Sequence, residues 1–78
     1  MATYDVIEQQ AGYVVRKQEP GRRPQYLEYM YGGHAFWVSD YLYARKYSKR
    51  TARKHARVFA AHDAAIAAAV KTLLHLSD

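Results

Sequence analysis

No glycine or proline interrupts the chain between Ser48 and Leu76, and within that stretch Ala52, Ala56, Phe59, Ile66, Val70 and Leu73 recur at steps built from three and four. Residues at those steps share one face of a helix, so the segment reads as an amphipathic helical seam. Ser48 is the expected N-cap. A single helix over this stretch would reach about 40 Å at 1.5 Å per residue. That is long for a chain of 78 residues, and Asp63 stands in the seam as a competent cap, so a break is expected near Ala61-His62-Asp63, with one long helix as the alternative. The alanine-rich run from Ala60 to Ala69 reflects helix propensity. Its small side chains would also let a second copy pack along Phe59, Ile66, Val70 and Leu73, which leaves monomer and homodimer both open.

The first half has a different period. Thr3–Gln9 and Tyr13–Gln18 are rich in Tyr, Val and Ile, and Gln10-Ala11-Gly12 between them suits a hairpin turn. Glu19-Pro20-Gly21 is a turn by composition, since proline presets one dihedral and glycine accepts positive φ. Gln25–Tyr31 is expected as a third strand, Gly32-Gly33-His34 as a turn and Ala35–Val38 as a short fourth strand. Strict alternation in the third strand puts Tyr29 and Tyr31 on one face with Leu27, and Tyr26 on the other with Met30. Ser39-Asp40 can then cap a short helix carrying Leu42, Tyr43, Ala44 and Tyr47. The expected class is therefore α+β: a small antiparallel β-meander of three to four strands, a short helix, and one long or two C-terminal helices. So short a chain forms one domain, residues 1–78, and must hold itself by packing, because it has no cysteine for a disulfide.

Charge is distributed unevenly. The formal net charge is +5, yet seven of the twelve Lys and Arg residues lie between Arg45 and Arg57, a run without Asp or Glu. On a helix, Lys49, Arg50, Arg53, Lys54 and Arg57 group on one side, with Ala52, His55, Ala56 and Phe59 on another. Arg45 and Lys46 extend the cluster. Such a face opposes helix stability: cations in the first turn work against the macrodipole, and Lys49-Arg53, Arg50-Lys54 and Arg53-Arg57 repel across one turn. A helix kept for stability alone would mix in acids, so this face is expected to meet something anionic, with a solvated face that keeps a basic protein soluble as the alternative. Eight tyrosines add a second candidate surface, with Tyr26, Tyr29, Tyr31 and Tyr41 near the turns and the helix entrance; tyrosine offers rigid amphipathic area to a protein and a ring face to a base, and it is equally a good strand residue.

Catalytic and metal chemistry have little footing here. His55 and His62 stand two helical turns apart, about 10 Å, too far to share one zinc ion. His34 and His75 are isolated, and no metal-binding, phosphate-loop or nucleophile-base spacing is present. We expect no enzyme, no metal and no cofactor. The opening residues lack a signal-peptide pattern and the alanine-rich stretch is too polar to span a bilayer, so a cytoplasmic protein without a membrane partner is expected.

Trp37-x-x-Asp40, Ala44-x-x-Tyr47-Ser48 and Ala52, following Tyr13-Val-Val and Tyr26-Leu, resemble a pattern of very small phage and mobile-element proteins, over roughly Tyr13 to Ala60. Those proteins include anti-CRISPR inhibitors, which bind a host CRISPR effector complex or its nucleic acid. The resemblance implies a bacterial host cell and a non-catalytic inhibitor that blocks target-DNA binding. The alternative is an accessory protein that binds DNA or RNA without sequence specificity. A cationic helix cannot imitate DNA, so such an inhibitor would dock an acidic protein surface or hold the nucleic acid itself.

Overall fold

A computed structural model describes residues 2–76. Four strands, Thr3–Gln9 (β1), Gly12–Gln18 (β2), Gln25–Tyr31 (β3) and His34–Val38 (β4), form one antiparallel sheet in the order β1-β2-β3-β4. A single 3-10 turn, Tyr41–Tyr43, and one helix, Lys49–Leu76 (α1), complete the α+β fold.

The hairpins close where turn chemistry allows. Gly32 and Gly33 both take positive φ, 59° and 80°, between the paired residues Tyr31 and His34, as a tight hairpin of right-twisted strands requires. The expected short helix is only one turn, in which the Asp40 carboxylate accepts the amide hydrogen of Leu42 at 2.9 Å. Ser48 caps α1 as expected: its hydroxyl accepts from the Thr51 amide at 3.2 Å and its carbonyl from Ala52 at 2.9 Å.

The expected break at Asp63 does not occur. Instead of capping a new helix, Asp63 accepts a 2.6 Å hydrogen bond from the Tyr4 hydroxyl. The alanines on either side of His62-Asp63 give the helix no reason to stop.

Two irregularities shape the sheet. Between β2 and β3 the ladder holds only Arg16↔Tyr26 and Lys17↔Gln25, after which the strands part. The segment leading to α1 fills the gap. Tyr47 exchanges backbone hydrogen bonds with Tyr13 at 2.8 and 2.9 Å, and the Arg45 amide donates to the Leu27 carbonyl at 3.1 Å. Glycine is needed at position 12 for this wedge: its φ is +151°, and a Cβ there would stand 3.0 Å from Lys46 Cβ and 3.1 Å from the Tyr47 carbonyl oxygen. The second irregularity is a bulge in β3, where Leu27 pairs with Trp37 but Tyr29 pairs with Phe36.

The helix lies across β1 and β2. Val15, Leu27, Ala52 and Ala56 form the buried centre, flanked by Tyr4, Val6, Tyr13, Ala35, Trp37, Tyr47 and Phe59. Two alanines facing the sheet let helix and strands approach closely. Further along, Phe59 stacks on Tyr4 with ring centroids 5.5 Å apart and meets Trp37 at 5.1 Å. Past Asp63 the apolar stripe continues through Ile66, Val70 and Leu73, but all three are exposed, because the sheet ends at the Tyr4–Asp63 clasp. The molecule measures 52 × 26 × 21 Å as a result.

Candidate anion-docking groove

The seven cations of the basic run do not form one helix face. Arg45 and Lys46 belong to the extended wedge, which has no helical turn to align them with the others. The Arg45 guanidinium stands 5.6 Å from the centre of the Tyr47 ring. Lys46 is half-buried and its ammonium reaches the Ala44 carbonyl at 3.5 Å. Both serve the wedge.

Lys49, Arg50, Arg53 and Arg57 do come together. With Ala56 they form one wall of a groove of about 800 Å³ whose other wall is β1, through Tyr4, Asp5 and Val6. Lys54 is exposed outside this lining. Steps of three and four keep Arg50, Arg53 and Arg57 on one flank, adjacent to the Ala52–Ala56 face that seats on the sheet. The Lys49 ammonium lies 5.9 Å from the Tyr13 ring centre, a cation-π approach that eases one charge in a first turn holding no acid.

These cations have no carboxylate partner. Among the described residues, ion pairs join Arg16 to Asp5 and Lys17 to Glu19, and none involves α1. Asp5 is the one acid among the lining residues, and its carboxylate is already engaged by Arg16, whose Nε donates to it at 2.9 Å, and by Gln18 at 3.4 Å. The Asp5 bond also raises the Arg16 pKa above its ordinary value. Tyr4 also lines the groove, and burial, together with the bond to Asp63, pushes its phenol well above the usual range.

The tyrosine surface lies elsewhere. Trp37 touches the helix, so Phe36 beside it faces the other way, and every residue paired with the Phe36 side of β4 shares that outer face. Because of the bulge, Tyr29 and Tyr31 therefore join Tyr26 on the outer face and leave Leu27 on the inner one, contrary to strict alternation. Tyr29 and Phe36 stack at 4.5 Å with an interplanar angle of 17°, each about two-fifths exposed, and Tyr41 meets Tyr26 edge-on at 6.2 Å. The cationic groove and the aromatic face thus occupy opposite layers of the molecule. Sequence reasoning missed Phe36 and the β1 wall; Phe36 was legible only as the neighbour of a buried tryptophan.

Among the described residues no group of His, Asp and Glu could hold a metal ion, and no helix is long and apolar enough to cross a membrane. Neither a family model, nor a curated protein, nor a solved structure matches the chain.

Proposed function

We propose that this chain is a non-catalytic inhibitor of the anti-CRISPR kind, which docks an anionic protein surface of a host CRISPR effector complex in its cationic groove and so blocks target-DNA binding. One observation carries this reading. Four cations stand along a groove wall on a rigid helix with no carboxylate to neutralise them, at a cost to the helix's own electrostatics. Local unfavourability of that kind is expected where a partner supplies the missing charge. The direction of the effector is taken from the resemblance of the Trp37–Ala52 pattern.

The test mixes the purified chain with purified type I and type II effector complexes at low salt and follows both co-elution and target-duplex binding. A stable complex with loss of duplex binding is expected, abolished in the variant R50E/R53E/R57E. Unchanged inhibition by that variant would remove the groove from the mechanism. Random duplex DNA provides the second arm. Direct binding with log K falling about 0.9 per contacted phosphate against log salt would assign the groove to nucleic acid, making the chain an accessory DNA-binding protein.

A further inference from the structure

We infer that the groove accepts an extended acidic segment of the partner protein, which adds to the free edge of β1 as a fifth strand. This rests on the groove being the docking site and names what fills it. The backbone geometry is the first support. Tyr13 directs both its N–H and its C=O to Tyr47, away from β1. In an antiparallel ladder the residue opposite then also turns its groups away, so Glu8, paired with Tyr13, faces outward. By the same alternation Val6, opposite Val15, and Tyr4, opposite Lys17, do so too. Their amide and carbonyl groups line the edge of the sheet.

That edge carries two acids, Asp5, which Arg16 engages, and Glu8, and otherwise lacks the usual protections. β1 keeps unbroken register with β2 from Thr3↔Gln18 to Gln9↔Gly12, without bulge, proline or lysine. The opposite edge, β4, is shorter and adjoins the β3 bulge.

Charge complementarity identifies the occupant. Alternate side chains of an added strand would point toward α1, about 6.8 Å apart, and Arg50 to Arg57 spans about 10 Å along the helix axis. Two carboxylates at alternate positions therefore fit beneath the three arginines. A second copy does not suit the site. Pairing β1 with β1 about a two-fold axis perpendicular to the sheet sets both helices on the same side with their arginine flanks facing, cation against cation. A phosphate backbone would satisfy the arginines but leave the strand edge unmet. Strand addition satisfies both at once.

The experiment uses the full chain and an acetylated ten-residue peptide alternating glutamate with threonine. A second peptide has every other backbone nitrogen methylated. Amide hydrogen exchange at Tyr4, Val6 and Glu8 is expected to slow at least tenfold with the first peptide and not with the second. Glu8→Pro removes an outward amide at an edge position that tolerates proline, and should weaken binding at least tenfold while circular dichroism and the thermal midpoint stay near the parent's. Unchanged exchange at those three amides, or equal binding of the methylated peptide, overturns strand addition. Peptide binding lost in R50E/R53E/R57E but intact in Glu8→Pro would leave the cationic docking site standing and refute the fifth strand. Failure of both the peptide and the effector to bind would refute the docking site itself.

Discussion

Leu27 and Leu73 are chemically identical, and the fold predicts opposite outcomes for truncating them. Leu27 has no exposed surface and sits between sheet and helix in the buried cluster with Val15, Ala52 and Ala56. Leu27→Ala removes three carbons from the centre of this cluster, between the sheet and the two helix alanines. The expected loss is about 3 kcal/mol, within the range for a buried leucine. A 78-residue chain has about 4–12 kcal/mol in total, so about a quarter to three quarters of its stability goes. Urea unfolding followed by helical circular dichroism measures this as a lowered midpoint, and the thermal midpoint should fall by more than 10 °C at about 4–8 °C per kcal/mol. Leu73 is two-thirds exposed on the part of α1 beyond the sheet. Leu73→Ala should change stability by less than about 0.5 kcal/mol, and Val70→Ala should be neutral or slightly stabilising, since alanine is the better helix former. A loss of 2 kcal/mol or more at Leu73 would mean that a second surface covers the overhang and would refute this reasoning.

Other outcomes follow from single contacts. Tyr4→Phe removes the bond to Asp63 and should cost about 1 kcal/mol by urea unfolding. Because folding raises the Tyr4 pKa, its contribution is fully present below pH about 10 and declines as pH rises beyond it, so the parent should lose stability between pH 9 and 11 more steeply than Tyr4→Phe does. Gly12→Ala combines a positive φ with a Cβ pressed against Lys46 and Tyr47, and should cost more than about 1 kcal/mol, read as a lower thermal midpoint. Ser48→Ala should cost about 1 kcal/mol through the lost N-cap.

Much of the fold was legible because local chemistry agreed with it. The strands followed from runs rich in Tyr, Val and Ile separated by turn residues, and the Ser48 cap marked where α1 begins. The bulge at Glu28 was not legible, since one inserted residue leaves composition and alternation looking regular on either side while exchanging the faces beyond it. Asp63 was misread for a related reason. Its partner, Tyr4, is distant in sequence, so only the tertiary clasp distinguishes a seam residue from a cap. The cationic run was visible as a cluster, but its division into wedge and groove wall depends on Tyr47 pairing with Tyr13, which no local pattern announces.

The wedge between β2 and β3 also governs how the domain can assemble. A meander of four strands is ordinarily complete once its last hairpin closes. Here the two hairpins are joined by only two residue pairs, and the remaining backbone groups of Tyr13 and Leu27 wait for Tyr47 and Arg45. The sheet therefore cannot finish before the chain has passed its final strand and turned toward the helix. Docking of α1 and closure of the sheet become one event, so unfolding watched from the helix by circular dichroism and from Trp37 by fluorescence should trace a single coincident transition.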